Sequence, residues 1–363
     1  MSKSLKTAFQ PLQESIRNEL DPEYVKLHDD ILQYCKPSEL EPWNAESRFR
    51  PSPMGYASPK PVKIGNVADV SVGEYQVRVF TPETEAPPGG WPCFVYYHGG
   101  GWVLDLNCVV VSINYRHAPE NCYPVAAEDS LAGFKWVLTP ETAKKLSINT
   151  SRIAIGGLSA CARSHSTYMT TEERDLTAPL SRGGGLAAIV SMKAALDPGI
   201  VDKIVYQILI CPVIDNTATV DTAWGPSQRS PWLTPSRMTW YRNMYFRSEN
   251  ETRNWDASPC FAPVEVLRKS PSTFLAIAEC DLLAPEGHQY GHSLQKSGVG
   301  VDIQLYSGAT HSILILAGLH KVGQKLIHDV CSRLAKRFDV AYDPDNARIL
   351  SLQSEDVNHN LSA

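Results

Sequence analysis

The sequence contains no run of about 18 uncharged apolar residues, the length that a membrane-spanning helix needs. Its N-terminus lacks the apolar stretch and small-residue cleavage site of a secretory signal. The nine cysteines form no C-x-x-C pair and are odd in number, which argues against a disulfide framework. These absences predict a cytoplasmic protein with reduced thiols and no membrane span.

Basic residues form no dense cluster either, and the formal net charge is −5. This excludes the electrostatic footprint of a nucleic-acid-binding protein and a polybasic membrane patch. The 363 residues, of which 43% are hydrophobic, suffice for a large core in one domain with an appended lid. Composition alone leaves the oligomeric state open.

Short apolar runs that resemble buried strands recur through the middle of the chain, at residues 93–97, 108–115, 152–157, 205–213, 273–279 and 301–306. Segments with helical periodicity separate several of them, at residues 125–138, 286–297 and 319–338. Strands that are apolar on both faces and alternate with helices indicate a parallel sheet between helical layers. The sequence therefore predicts an α/β fold with a mostly parallel central sheet and helices on both faces.

The remaining segments suggest how the chain is divided. Residues 67–72 and 75–80 alternate apolar and polar side chains, as an antiparallel hairpin does, and the stretches Pro11–Leu20 and Pro22–Tyr34 have approximately helical spacing. Residues 215–263 are rich in aromatics and have no strand pattern, which fits a lid over an apolar pocket or ordinary packing against the sheet. We predict four parts: an N-terminal helical segment in the lid (1–60), the main domain (61–338), its lid insertion (215–263) and a polar tail (339–363).

A glycine-rich motif, His98-Gly99-Gly100-Gly101-Trp102, directly follows the apolar run at 93–97. Consecutive glycines allow a tight turn that directs backbone N–H groups at a developing oxyanion. The motif is typical of the oxyanion loop of serine hydrolases. A glycine-rich turn without catalytic meaning is the alternative.

Ser159 follows the apolar run at 152–157 in the sequence Gly157-Leu158-Ser159-Ala160. A nucleophilic serine at a sharp strand-to-helix turn needs small neighbours, because the turn is strained. Alone this motif is weak evidence, since surface serines after glycine are common. The preceding strand and the upstream glycine motif together favour Ser159 as the nucleophile.

Two further candidates come after successive predicted strands. Asp281 follows the run at 273–279, and His311 follows the run at 301–306. The resulting order of Ser, Asp and His along the chain is one of the known orders of a catalytic triad. Glu279 and Asp215 are alternative carboxylates, but Glu279 is expected within its strand and Asp215 after an earlier strand.

His288 and His292 lie four residues apart on a predicted helix, a spacing that can bind a metal. No third ligand motif lies nearby in the sequence, so we predict no metal site.

These motifs, together with Tyr115-Arg116-His117-Ala118-Pro119-Glu120 and the later Tyr123-Pro124 and Glu128-Asp129, resemble the hormone-sensitive-lipase-like family of α/β hydrolases. The resemblance covers residues 75–335. It implies an α/β-hydrolase fold with a helical lid, no cofactor, and a small-molecule ester as substrate. The resemblance also assigns roles to individual residues: Ser159 as nucleophile, His311 as base, Asp281 as orienting acid, and the N–H groups of Gly99, Gly100 and Ala160 as the oxyanion hole.

The serine motif departs from the family pattern. Leu158 stands where aspartate is usual, and Cys161 stands where glycine is expected. Removal of residues 161–182 would join Ala160 to Gly183 and complete the pattern G-x-S-x-G. We hypothesise that these residues are an insertion, such as a retained intron in a gene model.

A second departure lies between the first two strand-like runs, where few residues follow the HGGGW motif before residue 108. A parallel crossover usually needs a dozen or more residues, commonly with a helix. An antiparallel pair would permit the short link, and a dropped coding segment after Val103 is the alternative.

Taken together, the motifs predict a serine carboxylic ester hydrolase acting on small to medium apolar or specialised-metabolite esters. A catalytically impaired family member, a gene-model variant and a non-catalytic ligand binder on the same fold are the competing hypotheses.

Overall fold

A computed structural model describes residues 7–46, 52–58, 65–98, 106–158 and 182–344, and structural statements here concern those residues. They form a sheet with the strand order β1-β2-β4-β3-β5-β6-β7-β8. The strands are β1 (Asn66–Val72), β2 (Tyr75–Thr81), β3 (Trp91–Tyr97), β4 (Val109–Asn114), β5 (Ile148–Leu158), β6 (Ile204–Ile210), β7 (Thr273–Ala278) and β8 (Val301–Tyr306). The β1–β2 and β2–β4 pairs are antiparallel and the other pairs are parallel. The predicted α/β class with a mostly parallel sheet is confirmed.

Helices connect most of the parallel strands. They are α1 (Glu14–Arg17), α2 (Pro22–Asp30), α3 (Val125–Val137), α4 (Pro140–Lys145), α5 (Gly183–Leu196), α6 (Pro235–Tyr245), α7 (Val264–Leu267), α8 (Ala284–Lys296) and α9 (Lys321–Phe338). Across the described ranges, every helix is too short or too polar to cross a bilayer.

The core lies on both faces of the sheet, because neighbouring residues of a strand point to opposite sides. Val95 and Ile155 pack in a cluster with residues of α3, α5 and α8. Their sequence neighbours Phe94 and Ala154 pack in a second cluster with α9. The sheet is therefore a middle layer between two helical layers. Because β3 to β8 pair in parallel, their carboxyl ends lie along one edge of the sheet.

The pairing of β3 with β4 corrects the sequence interpretation of the short link. The two strands are parallel neighbours, with Cys93 opposite Val109 and Tyr97 opposite Ile113, so the antiparallel alternative is wrong. Residues 98–108 join them. An extended link of that length reaches about 35 Å, whereas the return along a strand of this size is about 20 Å. A parallel connection is thus possible without a helix.

The N-terminal helices are shorter than predicted. α1 spans only Glu14–Arg17, and α2 ends at Asp30, after which Leu32–Tyr34 form a 3-10 turn. The Asp21 side chain accepts the Glu23 N–H at 2.8 Å, which caps α2 directly before Pro22. The helical spacing in the sequence therefore located the elements but not their ends.

Candidate active site

Two of the residues predicted to carry the chemistry, Asp281 and His311, are in contact. Asp281 follows the end of β7 and His311 follows the end of β8, which pairs with β7 in parallel. His311 Nδ1 lies 2.7 Å from Asp281 Oδ2, and the two residues are 2% and 1% exposed. The other carboxylate oxygen accepts the Leu283 N–H at 3.2 Å. The pair is therefore buried and held from both sides of the carboxylate.

The remaining predicted site residues, Ser159, Ala160, Gly99 and Gly100, lie outside the described residues. The strands that precede them are described. Leu158 ends β5 and His98 follows β3, and these strands are parallel neighbours with Tyr97 opposite Gly157. The carboxyl ends of β3, β5, β7 and β8 thus share one edge of the sheet, where ligands bind in open α/β sheets.

The start of α5 lies directly against the end of β5. A Cβ added at Gly157 would lie 2.1 Å from the Gly183 carbonyl oxygen, and one added at Gly183 would lie 2.8 Å from the Leu158 oxygen and 1.9 Å from the Tyr97 oxygen. Only glycine fits such close backbone approaches. The chain therefore returns after Leu158 to almost the same place, so a short turn would suffice to connect β5 to α5.

Tyr115, at the end of β4, ties two of these elements together. Its hydroxyl donates to the His98 carbonyl oxygen at 2.9 Å and accepts the Arg182 N–H at 3.1 Å. Its ring stacks on the His98 ring at 4.9 Å. Burial lowers the pKa of His98 to about 4, so its imidazole is neutral. One hydroxyl thus fixes the start of the glycine motif relative to the start of α5.

The two alternative carboxylates have other roles. Because β7 ends at Ala278, Glu279 lies just beyond the strand, and the prediction that it lies within the strand is wrong. Its side chain accepts the Gly308 N–H at 2.9 Å, which holds the loop leading to His311. Asp215 accepts the N–H and hydroxyl of Thr217 at 2.7 and 2.6 Å. Neither makes the contact with His311 that Asp281 makes.

Sequence reasoning missed Glu286, a buried acid in the first turn of α8. One of its oxygens accepts the Ile214 N–H at 2.8 Å, and the other accepts the Trp224 indole N–H at 3.0 Å. Burial raises the pKa of Glu286 to about 8. The Arg242 guanidinium lies 4.6 Å from the Trp224 ring centroid. Glu286 therefore anchors the segment after β6 beside the Asp281 loop, a role that no sequence pattern marked.

Three potential metal ligands lie together among the described residues: Cys211, Asp281 and His311. Burial raises the pKa of the Cys211 thiol well above its usual value, which disfavours the thiolate that a metal would bind. His292, one member of the histidine pair considered above, has its Nδ1 3.1 Å from Gln295 Oε1. The cluster is better explained as the hydrogen-bonded Asp281–His311 pair with a neighbouring thiol.

A family model described as the α/β hydrolase fold matches residues 104–175 and 178–315. The chain belongs to the α/β-hydrolase family. Within it, the chain is hormone-sensitive-lipase-like, as the sequence resemblance indicated. The match leaves out only residues 176 and 177 and includes the rest of the segment 161–182, so it does not test the insertion hypothesis.

Similar proteins agree with this placement. This chain is 30% identical to an AB hydrolase superfamily protein of Schizosaccharomyces pombe, over 93% of its own length and 100% of that protein. It is 29% identical to the carboxylic ester hydrolase LipN of Mycobacterium tuberculosis, over 72% of this chain and 67% of LipN. The crystal structure of LAE6, an α/β hydrolase from the metagenome of Lake Arreo, superposes with a TM-score of 0.72 at 24% identity, over 89% of this chain and 100% of LAE6. The chain is thus a carboxylesterase-like hydrolase.

Proposed function

We propose that the chain hydrolyses carboxylic esters through an acyl-enzyme, with Ser159 as nucleophile, His311 as base and Asp281 as orienting acid. The observation that carries the proposal is the buried 2.7 Å contact between Asp281 and His311. This pair lies at the same edge of the sheet as the end of β5, which Ser159 follows in the chain. A shared edge for the Asp281–His311 pair and the end of β5 is the arrangement on which a serine hydrolase of this fold is built.

The chemistry follows from the tautomer that Asp281 selects. A carboxylate beside Nδ1 favours the proton on that atom, so that the Nε2 lone pair is the proposed acceptor of the Ser159 hydroxyl proton. The serine oxygen then attacks the ester carbonyl, and His311 returns the proton to the departing alcohol. Water attacks the acyl-enzyme with His311 again taking the proton, and the acid leaves as Ser159 is reprotonated. The N–H groups of Gly99, Gly100 and Ala160 are the proposed donors to the oxyanion.

The proposed substrates are small to medium apolar esters or esters of specialised metabolites. Residues 1–60 and 215–263 are the proposed lid. Within the second segment, Trp224, Tyr241 and Phe246 join the same apolar cluster as residues of the sheet. These buried aromatics attach the segment to the core, and an aromatic-rich cover suits an apolar acyl or alcohol group. Such a substrate needs no cofactor.

The second candidate is a chain with impaired catalysis. A gene-model variant and a non-catalytic ligand binder are grouped with it, because each would also lack ester turnover. The observation that favours it is the connection of β3 to β4, which are parallel neighbours joined by residues 98–108 alone. The HGGGW motif occupies much of this link. Loss of one oxyanion donor typically costs about 10² to 10³ in turnover, so a displaced motif would silence the chemistry even with Asp281 and His311 in place.

Ester turnover in serine variants separates these candidates. Wild-type protein, Ser159→Ala and Ser191→Ala are assayed with p-nitrophenyl butyrate. Ser191 is the matched control, because it is a buried serine of α5 whose hydroxyl has no hydrogen-bond partner among the described residues. We expect Ser159→Ala to lose turnover and Ser191→Ala to keep it. Equal hydrolysis by Ser159→Ala would exclude the proposed mechanism, and an inactive wild type would favour the impaired candidate.

A further inference from the structure

Cys211 is a buried thiol that the mechanism described above does not use. It directly follows the last residue of β6, the strand that pairs with β7 in parallel. Its backbone φ is +43°, a left-handed value that is uncommon for a residue with a side chain. Its N–H donates to the Ala276 carbonyl oxygen at 2.9 Å. The β6–β7 pairing thus fixes the backbone of Cys211 at the edge of the sheet where Asp281 and His311 lie.

The thiol belongs to the same compact cluster as the Asp281–His311 pair. The Cys211 sulfur, an Asp281 carboxylate oxygen and a His311 ring nitrogen all lie within 4.8 Å of one another. Cys211 is only 3% exposed. Water therefore has little access to this side of the carboxylate, and its hydrogen-bond donors come from the protein.

The Asp281 carboxylate can accept more hydrogen bonds than the ones described so far. Oδ2 contacts His311 Nδ1, and Oδ1 accepts one backbone N–H, from Leu283. An ionised carboxylate can accept about four hydrogen bonds, and a buried one is costly when they are unfilled. The Cys211 sulfur lies within 4.8 Å of a carboxylate oxygen of Asp281, and its S–H is a weak donor.

The thiol keeps its proton, which a donor requires. Burial is the main cause that raises the pKa of Cys211 well above its usual value, and the neighbouring Asp281 carboxylate raises it further. A neutral thiol therefore faces the carboxylate throughout the pH range in which esterases are assayed.

We propose that Cys211 is a positioning residue, whose S–H donates to Asp281 and reduces the negative charge that Asp281 presents to His311. The proposal rests on the proposed function, since it assigns Cys211 an effect on the same site. It does not make Cys211 a catalytic residue, because the thiol acts on the base only through the carboxylate.

The sign of the effect follows from electrostatics. Removal of the thiol concentrates the charge on Asp281, and a more negative carboxylate stabilises the protonated imidazole of His311. A base that stays protonated to higher pH is inactive to higher pH. The acidic limb of the pH profile should therefore shift to higher pH when the donor is lost. It should stay at the wild-type pH when a hydroxyl replaces the thiol.

The experiment compares Cys211→Ala, Cys211→Ser and Cys93→Ala in the full chain. Cys93 is the matched control, because it is a buried free cysteine near the start of β3, far along the strand from this edge. The readout is kcat/KM for p-nitrophenyl butyrate against pH. We expect the acidic midpoint of Cys211→Ala to rise by about half a pH unit, and those of Cys211→Ser and Cys93→Ala to match the wild type. A purely structural role would lower stability without this pattern.

A second readout is needed if the wild type or the variants hydrolyse too little ester to give a pH profile. The His311 Nδ1 proton beside Asp281 is followed by proton NMR at low field as the pH is lowered. We expect the protonation midpoint of His311 to rise in Cys211→Ala and not in Cys211→Ser. Unchanged midpoints in both variants, or equal shifts in both, would overturn the role of Cys211. Absence of Ser159-dependent turnover in the wild type would instead refute the proposed function, so the two failures are distinguishable.

Discussion

His311 Nδ1 lies 2.7 Å from Asp281 Oδ2, in a site where both side chains are almost fully buried. Each of the two residues follows the carboxyl end of a strand, and the two strands are neighbours in the sheet. A charge-assisted hydrogen bond of this kind is strong because little water competes for it. The pair is therefore a fixed feature of the fold, on which catalysis can depend.

Replacement of Asp281 by asparagine should separate geometry from charge. We expect Asp281→Asn to lower kcat by about 10³- to 10⁴-fold, because the amide favours the wrong imidazole tautomer and cannot stabilise its charged form. Glu279→Gln is the matched control, since it keeps an oxygen to accept the Gly308 N–H. The measurement is kcat with p-nitrophenyl butyrate. A similar loss in both variants would show that the loop, not the Asp281 charge, governs activity.

The Tyr115 hydroxyl should contribute to activity by fixing the HGGGW motif relative to α5. Tyr115→Phe loses hydrogen bonds to the His98 oxygen and the Arg182 N–H. We expect kcat/KM to fall by about fivefold to tenfold, which corresponds to about 1 to 1.4 kcal/mol. Tyr75→Phe is the control, because its buried hydroxyl has no partner among the described residues. Equal kinetics for the two variants would contradict this role.

Glu286 should make the stability of the protein depend on pH. In the folded protein this carboxyl keeps its proton up to about pH 8. In the unfolded chain a glutamic acid loses its proton above about pH 4.5. The folded state therefore binds the extra proton between these values, and the free energy of unfolding falls as the pH rises through them. The slope from this group is at most about 1.4 kcal/mol per pH unit.

Urea unfolding between about pH 5 and pH 8 measures this slope. We expect Glu286→Gln to flatten the decline relative to the wild type, and the exposed control Glu265→Gln to leave it unchanged. Parallel curves for wild type and Glu286→Gln would contradict the assignment.

Deletion of residues 161–182 should improve the nucleophile turn. The Gly157 and Gly183 backbones are already in contact, so a short turn can join Leu158 to Gly183, with the Ala160 N–H in place of the Arg182 N–H at the Tyr115 hydroxyl. We expect the deletion variant to hydrolyse p-nitrophenyl butyrate about tenfold faster or more. A chain in which a Gly/Ser segment of equal length replaces 161–182 tests whether length or sequence matters. Lower activity after deletion would refute the insertion hypothesis.

Much of the fold was readable because the parallel strands have a strong apolar signal, whether they are fully buried like β7 or partly exposed like β8. The predicted run at 301–306 coincides with β8, and the run at 273–279 exceeds β7 by a single residue, Glu279. The parallel pairing of β3 with β4 was not predicted, because it depends on which strand fills the space beside β3 and not on the length of the link. Short α4 was also missed, since Pro140–Lys145 has too few apolar residues to show a period.

The site was readable only in part. Asp281 and His311 follow strongly predicted strands, so the order of the strands placed them together. Glu286 and Cys211 act through contacts that join α8 and the end of β6 to the segments beside them. Such contacts depend on the three-dimensional packing of distant segments, and no spacing in the sequence reports them.

The most direct test of the account is covalent labelling of the intact chain with a fluorophosphonate, followed by peptide mass spectrometry. Phosphonylation needs a serine activated by a neighbouring base, so it reports an assembled site whatever the natural ester is. We expect one adduct, on Ser159, that is lost in His311→Ala. Labelling of Ser159 that survives His311→Ala, or a folded wild type that takes no label there, would contradict it.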